Sequence, residues 1–248
     1  MELKNKTALI TGASSGIGNA TAMKLSEAGV KVGLAARRTD KLEILKKQIE
    51  EKGGEAIVVE MNVADTVSVQ NGVKAFINNF GRIDILFNNA GVMPVSNIDQ
   101  FKTEEWNTMI DVNIKGVLNV TGTVLPYMIQ QQSGHIFNTS SIAGRKVFGP
   151  GYTVYSATKF FVSSFSEGLR MEISKKHNIR VTSIQPGGVL TELMEQTTDP
   201  DKKTEMLAYR NSIKFLEPTD IADALLYAVT APTHVNVAEI FILPTEQI

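Results

Sequence analysis

Seven short runs rich in β-branched and aliphatic residues recur along the chain, each separated from the next by a longer stretch of helical patterning, and this alternation narrows the possible folds sharply. The runs fall at residues 7–11, 30–36, 55–61, 83–88, 134–140, 179–185 and 239–243. Between them, apolar residues return every three or four positions over 20–28, 41–51, 67–80, 106–130, 153–176 and 221–229, the period of an amphipathic helix. Runs apolar on both faces predict strands buried on both, with the intervening helices as cover. The expected fold class is α/β: a single doubly wound domain over residues 1–248, with a parallel seven-stranded sheet and helices on both faces. No repeat, composition shift or low-complexity linker divides the chain. In such sheets a ligand crevice lies beyond the carboxyl ends of the strands, where strand order reverses, so chemically active residues should gather just after strands.

Several kinds of chemistry are closed off. There is no cysteine, which removes disulfides, thiol nucleophiles and cysteine-ligated metals. The three histidines, His135, His177 and His234, lack ligand spacing, so no metal site is expected. A net charge of -1 gives no general attraction toward nucleic acid or anionic lipid, and neither partner is expected. No apolar run reaches the roughly eighteen residues of a membrane-spanning helix, and MELKNKTALITG lacks the pattern of a secretory signal. A cytoplasmic protein is the expectation, with its chemistry on hydroxyls, amines, carboxylates or a bound cofactor.

Directly after the first run comes TGASSGIG, with Gly12, Gly16 and Gly18 around Ser14, Ser15 and Ile17. Glycine allows the tight turn and close backbone approach, while free N–H groups at a helix start attract phosphate. The spacing is G-x-x-x-G-x-G and not the common dinucleotide fingerprint G-x-G-x-x-G; a plain glycine-rich turn is the alternative. The second run ends in LAARR, so Ala36 stands where an NAD site usually places a carboxylate for the ribose hydroxyl, and Arg37 and Arg38 follow. Guanidinium without carboxylate points to the 2′-phosphate of NADP, with Arg37 the first candidate for a bidentate grip. Both arginines could equally be solvated surface charges.

VYSATKF, at the start of the helical stretch 153–176, places Tyr155 and Lys159 one turn apart on one face. With the motifs around it, this segment resembles the short-chain dehydrogenase/reductase family over nearly the whole chain. TGASSGIG matches the family's glycine motif, NNAG (Asn88 to Gly91) its fourth-strand motif, NIKG the segment of an active-site asparagine, SSIAG that of the serine, YSATK the Tyr-x-x-x-Lys pair, and PGGVLT the nicotinamide-contacting segment. The resemblance implies a Rossmann-type sheet in the order 3-2-1-4-5-6-7 and NAD(P)-dependent oxidoreductase chemistry. It implies Ser141, Tyr155, Lys159 and Asn113 as the catalytic set, with Ser140 the competitor for Ser141, and Asn113 either holding a water that relays protons or bending a helix. It places Asn62 and Val63 at the adenine, Asn89, Ala90 and Gly91 along the cleft, Lys159 at the ribose, and Val189 and Thr191 at the carboxamide, with Pro186 and Gly187 either cofactor contacts in the same segment or a simple turn. The family also implies a tetramer.

Hydride transfer between nicotinamide and a carbonyl needs a proton donor in one direction and an acceptor in the other. A free tyrosine has a pKa of about 10, and lowering it by about three units takes about 4 kcal/mol. An ammonium about 5 Å away at an effective dielectric near 20 supplies roughly 3 kcal/mol, and the positive ring of oxidised nicotinamide adds to it, so Lys159 and the cofactor together are expected to bring the Tyr155 pKa toward neutral pH. The polar stretch around 190–213 has the profile of an irregular, mobile flap over substrate. Met93, Pro94 and the loop 145–152 should line the pocket; Arg145 or Lys146 is either a carboxylate ligand or a solvated cation. The C-terminal THVNV and ILPTEQ look like the branch that oxidises serine and other 3-hydroxy acids with NADP. A broad NADPH-dependent ketone or aldehyde reductase is the alternative, and a non-catalytic NADP sensor or scaffold the rival from another class. On the helix carrying Tyr155, one stripe holds Tyr155, Lys159, Val162, Leu169 and Ile173 and another Phe160 and Met171, so both faces should be buried, the second in a subunit contact.

Overall fold

The chain is described over residues 3–247 by a computed structural model. Strands β1 (Thr7–Thr11), β2 (Lys31–Ala36), β3 (Ala56–Glu60), β4 (Ile85–Asn88), β5 (Gly134–Thr139), β6 (Ile179–Pro186) and β7 (Glu239–Ile242) form one parallel sheet in the order β3-β2-β1-β4-β5-β6-β7. β1, β4 and β6 are buried along their whole length, as central strands covered on both faces are, and they bury Thr7, Asn88, Arg180 and Gln185 among their aliphatic residues. Because β1 pairs with β2 on one side and β4 on the other, the chain leaves these strands in diverging directions, and a crevice opens at their carboxyl ends.

Helices α1 (Gly16–Glu27), α2 (Thr39–Glu51) and α8 (Pro218–Thr230) cover one face, where Leu25, Leu45 and Leu225 pack with Ile10 and Leu34. On the other, α3 (Thr66–Phe80), α5 (Gly116–Gln131) and α6 (Thr153–His177) bring Phe76, Val124 and Ile173 against Leu9, Leu86 and Val181. Local chemistry fixes the ends. Asp65 accepts from the N–H groups of Val67 and Ser68 at 2.8 and 3.0 Å, and Gly81 closes α3 at φ 75°. α1 begins four residues before its apolar periodicity because the glycine loop itself forms the first turn.

Two elements depart from the sequence reading. The single helix expected over 106–130 is α4 (Thr103–Met109), a π-helical turn (Ile110–Lys115) and α5 in succession. The buried Asn113 drives the departure: its Oδ1 accepts from Val92 N–H at 2.9 Å, while its Nδ2 donates to Val92 O at 2.9 Å and Thr158 Oγ1 at 3.1 Å. The stretch expected to be irregular is a 3-10 turn (Glu192–Gln196) followed by α7 (Pro200–Ser212). α7 starts where Asp199 accepts from the N–H groups of Asp201 and Lys202, with Pro200 in its first turn. Only Lys202 and Met206 are buried along it, too few for a visible apolar stripe.

Candidate active site

Tyr155 and Lys159 lie on the buried face of α6 at 6 % and 5 % exposure, one turn apart. Ser141 stands beside the phenol and favours its ionised form, and its hydroxyl accepts from Ala143 N–H at 3.1 Å. That bond fixes Ser141 at the end of β5, ahead of the short turn Ile142–Gly144. Lys159 Nζ donates to Thr139 O at 2.8 Å and stands 5.7 Å from the centre of the Tyr155 ring. Ser140 points elsewhere: its hydroxyl donates to Lys159 O at 2.8 Å and pairs with Ser163. Of the two candidate serines, Ser141 is therefore the one beside the phenol. The loop from Arg145 to Tyr152 reaches α6 through Gly149 and Gly151, at φ 155° and 92°.

Within the chain itself, burial dominates the electrostatics of this pair. Burial pushes the Tyr155 phenol up to about 12, against a smaller lowering by Ser141, and burial alone draws Lys159 down to about 8. Lys159 is bonded to a backbone carbonyl beside the ring, and lost hydration dominates both shifts.

These groups open on a cavity of about 530 Å³ that runs from the end of β2 to α6. Every residue expected in the catalytic and cofactor sets lines it except Gly18 and Asn113, while of the expected substrate wall Met93, Phe148 and Tyr152 line it and Pro94 does not. Gly18 lies beneath the loop, where a Cβ would collide with the Gly12 carbonyl, and a Cβ on Gly12 would come within 2.9 Å of Ala90 Cα. Asn89 ties the loop to β4, donating from Nδ2 to Thr11 O at 3.2 Å and Gly12 O at 3.4 Å. Asn62 lines the cleft with its Oδ1 already accepting from Ala64 N–H at 3.2 Å. Thr191 caps the turn behind it, accepting from Leu193 N–H at 3.4 Å, and Val189 bridges to Leu216. A glycine-rich loop, backbone donors at the start of α1 and cations at the end of β2 fit a dinucleotide.

The cations near the cleft separate by position. Arg38, and not Arg37, is seated on the glycine loop, its Nε and Nη2 donating to Ser14 Oγ at 3.2 and 2.9 Å and Nη2 to Ser15 Oγ at 2.9 Å. It precedes α2 and turns back over the loop, while Arg37 lines the cleft from the exposed side. Arg145 is held on the sheet edge by Gln185 at 2.6 Å and Glu239 at 3.0 Å and stacks on Phe241 at 4.8 Å. Lys146 is exposed, and neither lines the cleft. The cations lining it among the described residues are Arg37, Arg38 and Lys159. The reading of the sequence did not single out Glu192, Tyr209, Phe215 or Gln247, all on the cavity wall. Tyr209 and Phe215 join Phe148 and Tyr152 in a chain of edge-to-face contacts, which no short spacing announces.

Comparison with known proteins gives the same picture. The family profile described as short chain dehydrogenase matches residues 6–202. An oxidoreductase of uncharacterised function from Listeria monocytogenes is 45 % identical over 248 residues, covering 100 % of this chain and 99 % of its own. Serine dehydrogenase complexed with NADP+ superposes with a TM-score of 0.90 at 33 % identity, over 98 % of this chain and 96 % of that one. A short chain dehydrogenase/reductase from Burkholderia phymatum in complex with NAD superposes with a TM-score of 0.88 at 27 % identity, over 97 % and 90 % of the two chains.

Proposed function

The chain belongs to the short-chain dehydrogenase family and is an oxidoreductase of the nicotinamide-dependent kind; from that premise we propose that it interconverts an alcohol and its carbonyl compound with NADP(H), the whole chain acting as one domain. The observation that carries the reading is one cleft with a serine, a phenol and a buried lysine at one end and an arginine fork on the glycine loop at the other. When bound, the nicotinamide would supply or accept the hydride. Tyr155 Oη gives a proton to the carbonyl oxygen in reduction and takes one from the alcohol in oxidation. Ser141, oriented by Ala143 N–H, donates a hydrogen bond to that oxygen. Lys159 holds the ribose hydroxyls, and Asn113 fixes the backbone at Val92 that walls the same end. Arg38, with Arg37 and Ser14 beside it and no carboxylate at Ala36, supports NADP over NAD.

The wall at the Tyr155 end favours a neutral ketone or aldehyde. It is built from Met93, Phe148, Tyr152, Tyr209 and Phe215 and includes Glu195, and among the described residues no cation besides Lys159 stands there to meet a carboxylate. A 3-hydroxy acid such as serine is the second reading, supported by the similarity to serine dehydrogenase. A homotetramer belongs to the same proposal, supported by Phe160 and Met171 at 42 % and 70 % exposure on the outer face of α6. So does the cytoplasm as its location; among the described residues no helix is long and apolar enough to cross a membrane.

The test is a panel of ketones, aldehydes and hydroxy acids followed by NADPH absorbance, with Tyr155→Phe alongside. Turnover of neutral carbonyls is expected, and a loss of about 10²- to 10⁴-fold in kcat in the variant. Undiminished turnover in Tyr155→Phe would remove the phenol from the proton-transfer role.

A further inference from the structure

Glu192 reaches across the cleft to the cations at the end of β2. One carboxylate oxygen accepts from Arg38 Nη1 at 2.8 Å and the other from Lys41 Nζ at 2.8 Å. The other Arg38 donors are engaged with Ser14 and Ser15. Each nitrogen of the fork therefore has an acceptor, and the charged one comes from Glu192.

That carboxylate originates on the opposite wall. Glu192 opens the turn Glu192–Gln196, directly after Thr191, whose side chain closes over Gly16 so tightly that a Cβ there would lie 2.9 Å from Thr191 Cγ2. The ion pairs thus run from the substrate-side wall, over the glycine loop, to the start of α2. Hydrogen bonds from Lys41 and Arg38 hold the Glu192 carboxyl down to about 2, so the group is charged throughout the working pH range.

Resting on the NADP reading above, we propose that Glu192 sets dinucleotide specificity by competing with the 2′-phosphate for Arg38 and Lys41. A phosphate carries more charge and more acceptor oxygens than a carboxylate and is the stronger ligand for a guanidinium fork. It displaces Glu192 from Arg38, and whatever holds Glu192 to the cations is subtracted from the affinity for NADP(H). NAD(H) presents a neutral hydroxyl at that position and leaves the ion pairs in place. The partners are 44 % and 40 % exposed, so screening keeps the effect to about fivefold.

Equilibrium binding of NADPH and NADH, read from nicotinamide fluorescence on wild type and Glu192→Gln, tests the inference without turnover. The expected result is NADPH binding about fivefold tighter in the variant, with NADH unchanged. Unchanged or weaker NADPH binding in Glu192→Gln overturns it, as does equal tightening of both dinucleotides, which would mark Glu192 as a general obstruction of the cleft. Wild type binding neither dinucleotide would instead overturn the functional reading, and this inference with it. Thermal unfolding of both proteins checks that the variant is folded; Glu192→Ala, which also removes the charge, repeats the comparison if it is not.

Discussion

Tyr155 and Lys159 are pushed apart in their titration by the same cause, removal from water. The phenol sits at about 12 and the ammonium at about 8, so on raising the pH the first proton to leave the pair is the lysine's. A raised phenol stays protonated in the folded chain while the same tyrosine in the unfolded chain ionises near 10. Spectrophotometric titration of wild type minus Tyr155→Phe should therefore show no phenolate band below about pH 11; a band appearing between about pH 8 and 9 would restore the electrostatic depression inferred from spacing. The assignment of Ser141 over Ser140 rests on the same scale. Adjacent residues leaving a strand alternate in direction, so one hydroxyl meets the phenol and its neighbour turns to the backbone of α6.

Among the elements, the π turn Ile110–Lys115 is where helical regularity yields to side-chain bonding. Widening the turn lets Asn113 satisfy both the N–H and the carbonyl of Val92 and reach Thr158, which joins the loop after β4 to α6. Asn113→Ala leaves buried backbone groups without partners, at about 1–3 kcal/mol each, and the denaturation midpoint should fall accordingly. Unaltered stability with lost turnover would move the weight of this residue from architecture to a proton relay. The segment 106–130 carries uninterrupted helical periodicity, and nothing local distinguishes an i→i+4 turn from a wider one when the cause lies with Val92, 21 positions away. α7 was hidden for a different reason: it buries only Lys202 and Met206, so its signal is a cap and a proline without an apolar stripe.

For the whole molecule, the outer face of α6 is the surface on which assembly turns. The stripe of Tyr155, Lys159, Val162, Leu169 and Ile173 is buried within the chain, whereas Phe160 and Met171 are exposed. Light scattering at micromolar concentration should give four times the 27.1 kDa chain mass, and a monomer would remove the tetramer from the proposal. Strand positions, their order of appearance, the glycine loop and the Tyr–Lys register were all determined by the sequence alone. Each is written in local periodicity or spacing, and an apolar run long enough for a strand has few other places to go. Tertiary structure alone decided that Arg38 covers the loop, that Arg145 belongs to Gln185 and Glu239, that Glu192 spans the cleft to Arg38 and Lys41, and that Tyr155 is harder to ionise than free tyrosine. Those outcomes depend on which charges meet across the fold and on how much water is excluded from them, and neither quantity is carried by neighbouring residues in the chain.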